Sequence, residues 1–123
     1  MRIEKDAKMA EAGKTTVSEE VLAKAASLAN LAAYVPGAVV SKTLIDKPAG
    51  TMTLFSFDGG QGLSEHTAPY DAFIEVVDGQ AKIRIAQKWL TVKAGEAVVM
   101  PANVPHAVQA EEKFKMLLVM IKA

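Results

Sequence analysis

"EHTAPYDAFIEVVDGQAKI", residues 65–83, is the stretch on which the fold is decided. It opens at Glu65-His66, passes Pro69, enters an apolar run and stops at Asp78-Gly79 before a second run begins. Asp-Gly between two strand-like runs is a turn signal. In the second run Ala81, Ile83 and Ile85 alternate with Lys82 and Arg84, the period of two expected of a strand with one buried face.

The same grammar extends outward in both directions. "VVSKTLI", "TMTLFSF", "WLTV", "EAVVM", "HAVQA" and "FKMLLVMIK" are short runs rich in β-branched and aromatic residues. They are separated by Lys47-Pro48-Ala49-Gly50, Asp58-Gly59-Gly60, Ala94-Gly95 and Pro101-Ala102-Asn103-Val104-Pro105. Many short strands with no intervening helices predict an all-β antiparallel sandwich or barrel. The last run is apolar on both faces, so both must be covered, by a second sheet on one side and a partner subunit on the other.

Upstream of Val39 the pattern changes. Residues 1 to about 15 read as a loose leader, and "TTVSEEVLAKAASLANLAAYVPG" reads as a helix. Thr16 with Glu19 forms a capping-box pair, and Val17, Val21, Leu22, Ala25, Leu28 and Ala29 recur at helical spacing until Pro36-Gly37. The division is thus a leader and helix over 1–37 and a barrel domain over 38–123. The helix is expected to cover the barrel or a neighbouring subunit.

Bulk composition narrows the function. The 123 residues suit one domain, and half of them are apolar. Fourteen basic and fourteen acidic residues balance, which gives no electrostatic reason to expect nucleic acid or a membrane surface as partner. With no cysteine, disulfides, thiol catalysis and cysteine-held metals are excluded. No secretory signal or span-length apolar run is present, so a cytoplasmic location is expected.

Candidate chemistry rests on His66 and His106, each at the start of a strand just after a loop. Imidazole is the usual nitrogen ligand of first-row metals and titrates near neutrality. By spacing alone, two lone histidines are more often structural than metal-binding. Their surroundings resemble the cupin family of small jelly-roll barrels, over about Val39 to Lys122. Gly60 precedes His66 at the interval of the family's first motif, and Gly79 closes that motif. Gly95, Pro101 and His106 fall in register with the second motif. There Asn103 stands where glycine is usual and Ala110 stands at the asparagine position.

The resemblance implies a double-stranded β-helix and a homodimer. It also implies a possible divalent Fe, Mn, Ni or Zn ion, because metal-binding cupins use both histidines and the glutamate of the first motif with the histidine of the second. This sequence keeps His66 and His106 but has Ala68 and Ala72 at the other two positions. Asp71, beside the missing glutamate, is the candidate third ligand, if a bulge after Pro69 turns it inward. Tyr70 would hydrogen-bond a ligand at the barrel mouth, while Met100, with Met52, Met116 and Met120, would line an apolar cavity.

Three functions are left open. One is a binding module holding a small molecule, or a weakly held metal, in the barrel. Another is a metal-dependent enzyme of the dioxygenase, isomerase or decarboxylase sort, working through His66, His106 and an unconventional third ligand. The last is a subunit whose contacts through the helix and terminal strand matter more than any cavity.

Overall fold

The computed structural model describes residues 16–122 together with the backbone of 2–5, 9–12 and 15. The remainder of the expected leader lies outside the described residues. Twelve strands and one short helix follow in order: β1 (Arg2–Lys5), β2 (Met9–Ala12), β3 (Thr15–Ser18), α1 (Leu28–Leu31), β4 (Ala38–Lys47), β5 (Gly50–Phe57), β6 (Gly62–His66), β7 (Asp71–Asp78), β8 (Gln80–Ile85), β9 (Lys88–Lys93), β10 (Ala97–Met100), β11 (His106–Gln109) and β12 (Phe114–Ile121). Eight form one sheet, ordered β10-β7-β12-β5-β4-β3-β2 with β1 beside β4, and four form a second, ordered β6-β11-β8-β9. The two sheets face each other as a jelly roll. No helix among the described residues is long and apolar enough to cross a membrane.

Alternation assigns the faces. On β7, Ala72, Ile74 and Val76 point between the sheets and are at most 2% exposed, whereas Phe73 on the outer face is 39% exposed. The inner residues are graded along the strands. At one end Phe57 and Phe114 sit opposite each other on neighbouring strands, with stacked rings 4.6 Å apart, and fill the space completely. Toward the other end β12 supplies Met116, Leu118 and Met120 inward, and β7 supplies only the methyl group of Ala72. A core wide at one end and packed with aromatics at the other leaves its free space at the first.

Two turns need backbone conformations that most residues resist. Gly79 has φ 72°, and a Cβ there would lie 2.6 Å from the carbonyl oxygen of Lys113. Asn103 has φ 64° and donates its amide to the Ala68 carbonyl at 2.8 Å, which explains how asparagine serves where glycine was the expectation.

The helix expected from Thr16 onward is not formed. Thr16 and Val17 lie in β3, paired with Asp46 and Ile45 of β4, and the only helix among the described residues is the single turn Leu28–Leu31. The β-branched run at 15–17 extends the open edge of β4. Ser18 turns the chain by accepting the Glu20 amide at 3.3 Å, and Ala23 adopts φ 56°. The apolar spacing had another cause. Val21, Leu28, Leu31 and Ala32 pack on Leu44, Leu54 and Leu117 of the outer sheet face, as a strap of irregular chain.

Polar ties fix that strap. Ser56 Oγ donates to the Ala32 carbonyl at 2.6 Å, Lys115 Nζ to the Ala29 carbonyl at 2.5 Å, and the Tyr34 hydroxyl to Asp78 Oδ2 at 2.5 Å. The outer face of β12 around Leu117 is therefore covered by the chain itself, where a partner subunit was expected. Farther along, a cross-strand row of Val99, Phe73, Val119 and Met52 continues past the strap, with Val99 53% exposed.

Candidate functional site

His66 ends β6, His106 begins β11, and the two are directly paired across the antiparallel ladder. Their approach depends on an irregularity. The register runs His106 to His66 and then Val108 to Leu63, so β6 uses one residue more than β11 over this span. In a regular strand Leu63 and His66 would face opposite ways; the bulge lets both face inward. Glu65 is left on the outer side, where its carboxylate pairs with Arg84.

The imidazoles meet edge to face, with centroids 4.4 Å apart and Nε2 atoms 3.1 Å apart. Their other nitrogens determine the tautomers. His66 Nδ1 lies 2.7 Å from the Ser64 carbonyl, and His106 Nδ1 lies 3.2 Å from the Val104 carbonyl. A carbonyl only accepts, so each neutral ring carries its proton on Nδ1. Both Nε2 lone pairs then converge, an arrangement relieved by a donor or a cation placed between them. Burial, and secondarily the charge of His66, push the His106 imidazole below its ordinary value, while the Val104 carbonyl acts in the opposite direction. His66 is exposed and His106 only 3% exposed, so the pair reaches from rim to interior.

Behind the pair lies a cavity of ≈ 470 Å³. Its wall is mostly apolar, including Phe55, Ile74, Met100, Met116, Leu118 and Met120, with Ala72 at the position of the absent glutamate. Met100, singled out in the sequence, lines it; Tyr70 does not, and instead lies beneath Lys122 Nζ, 5.8 Å from the ring centroid. Asp71 also stays outside. No bulge turns it inward, and its Oδ1 accepts the Ala102 amide at 2.9 Å, tying the 101–105 loop to β7. Sequence reasoning missed Phe55, Leu63, Ile74, Val108 and Leu118 as a shared wall, although period-two alternation from Ala72 and Phe114 would have found Ile74 and Leu118.

The cupin domain family model matches residues 53–122, more than half of the chain. The chain belongs to the cupin family. This cupin is similar to a conserved protein of unknown function from Streptococcus pyogenes, at 37% identity and TM-score 0.79 over 83% of this chain and 90% of that one. It is also similar to a cupin 2 conserved barrel domain protein from Leptotrichia buccalis, at 48% identity and TM-score 0.75, covering 76% of this chain and 46% of that one. A cupin superfamily protein from Desulfitobacterium hafniense shares the fold at 24% identity and TM-score 0.78. No curated protein matches the sequence.

Cupins often hold a divalent ion, and the donor set here fits such an ion only in part. Two imidazole nitrogens on one ion sit about 3 Å apart, given bonds near 2.0–2.1 Å, which matches the pair. Beyond the pair, no three His, Cys, Asp or Glu side chains come together among the described residues. A first-row divalent ion held by two protein ligands keeps mostly water, so its affinity is low.

Proposed function

We propose that this cupin is a binding module for a small molecule with an apolar body and one hydrogen-bond-donating head. The observation that carries the reading is the meeting of two Nε2 atoms, 3.1 Å apart, at one end of a cavity of ≈ 470 Å³ with a mostly apolar wall. That volume falls within the usual range for ligand pockets, whose few polar groups fix orientation. Both Nε2 atoms accept, so the head must donate: a phenol, an alcohol or a protonated acid. The divalent-metal enzyme has less support, since no third His, Cys, Asp or Glu joins the pair among the described residues and Asp71 is engaged with Ala102. We further propose self-association through the uncovered row of Val99 and Phe73.

The test is a thermal-shift series with 4-alkylphenols on the metal-free chain. Each buried methylene contributes about 0.8 kcal/mol, so affinity should rise about fourfold per carbon until the cavity is full. His106→Ala should weaken every member, and Ala72→Leu should shorten the longest chain accepted. No response to any phenol, or the same chain-length limit in Ala72→Leu, overturns the reading.

A further inference from the structure

Three thioethers line the cavity beside its two imidazoles, the one acidic lining residue, Glu65, has its carboxylate paired with Arg84, and the placement of the thioethers is specific. Met100 on β10 and Met120 on β12 are each the direct register partner of Ala72 on β7. Directly opposed residues in neighbouring strands have Cα atoms about 4.5–5.5 Å apart, so two methionines flank the missing glutamate. Met100 also precedes the 101–105 loop that leads into His106, which puts thioether and imidazole at the same end of the barrel. Both methionines line the cavity with His66 and His106.

This donor set does not suit the hard or borderline divalent ions of a histidine–glutamate centre. Carboxylate and water oxygens favour such ions, whereas thioether sulfur favours Cu(I). A monovalent ion also asks less charge compensation from an apolar wall than a divalent one, because the cost of desolvating an ion rises with its charge. We infer that the histidine end of the cavity is a Cu(I) site, with His66 Nε2 and His106 Nε2 joined by the sulfur of Met100, Met120 or both. The inference rests on the cavity reading above and adds a cation at its polar end. The methionine chains are unbranched and adaptable, so the site would form through rotamer changes.

The experiment uses the full chain, metal-free and under anaerobic conditions with ascorbate. Cu(I) is titrated against the chromophoric chelator bathocuproine disulfonate, and Zn(II) and Ni(II) are titrated separately. One Cu(I) per chain is expected, held at least about 100-fold more tightly than Zn(II). Met100→Leu with Met120→Leu conserves volume and so should preserve the fold. It should weaken Cu(I) at least tenfold, leave Zn(II) unchanged and remove copper–sulfur scattering from the X-ray absorption spectrum. Since loss of an outer-shell partner alone costs about 10–100-fold, His66→Ala should cost more than about 100-fold. Unchanged Cu(I) affinity in the double methionine variant, or Zn(II) binding as tight as Cu(I), overturns the inference. The alkylphenol series on the same metal-free protein separates the two proposals: phenol binding without Cu(I) leaves the pocket standing and removes the cation site, while Cu(I) without phenol binding does the reverse.

Discussion

Replacing Ala72 with glutamate tests how the wall controls the chemistry of the pair. Ala72 is 2% exposed, faces a cavity of ≈ 470 Å³ and stands between Met100 and Met120, so space for the longer side chain is not limiting. The cost is electrostatic. A carboxyl group in an apolar wall with no cation loses its hydration, and it should protonate rather than remain charged. An unsatisfied buried polar group costs about 1–3 kcal/mol, which for a chain of this size lowers the melting temperature by about 4–12 °C. Adding a divalent ion should reverse the loss, because the new carboxylate with His66 and His106 makes three ligands. At a free concentration of 100 times Kd the recovery is about 2.7 kcal/mol. The assay is melting of Ala72→Glu and the unaltered chain, each with chelator and with graded Zn(II) or Ni(II). A variant that melts with the parent in chelator and gains nothing from either metal would refute both the buried wall and the reach of the pair.

Three other outcomes follow from named contacts. Gly79→Ala places a methyl group 2.6 Å from the Lys113 carbonyl at φ 72°, so a loss of about 1–3 kcal/mol is expected in urea unfolding, and an unmoved midpoint contradicts the turn geometry. Burial first, then the hydrogen bond to Asp78, hold the Tyr34 hydroxyl well above its ordinary value of 10.0. Because the raised value belongs to the folded state, that contribution to stability is fully present below pH 10 and fades as pH climbs through the folded value. In a Tyr70→Phe background, Asp78→Asn should lower the pH at which phenolate absorbance appears; no change would exclude the contact. Phe73→Asp, which charges the uncovered outer row, should convert a dimer to monomer in sedimentation, and a parent already monomeric at the same concentration ends that proposal.

Much of the barrel could be read in the residues because its signals are local. Asp78-Gly79 and the Pro101–Pro105 segment punctuate strands at the places the chain turns, and the alternation of "QAKIRI" survives as buried Ala81 and Ile83 beside partly exposed Lys82 and Arg84. The N-terminal segment failed that method. Val21 and Leu28 follow the shape of a neighbouring sheet, and an apolar spacing cannot reveal whether its partner is a helix stripe or another chain segment. The two histidines were visible as residues, and the missing acid at Ala72 was visible as a substitution. Their orientation was not, since it depends on one extra residue in β6, and the engagement of Asp71 with Ala102 depends on a loop from a different strand.

The bulge in β6 makes this site a matter of counting as much as of composition. If Leu63 through His66 ran as a regular strand, both imidazoles would stay in the sequence, yet regular pleating over three residues would swing the first one out of the interior. Among relatives, then, shared histidines are a weaker sign of a shared chamber than a strand that brings Leu63 and His66 to the same face.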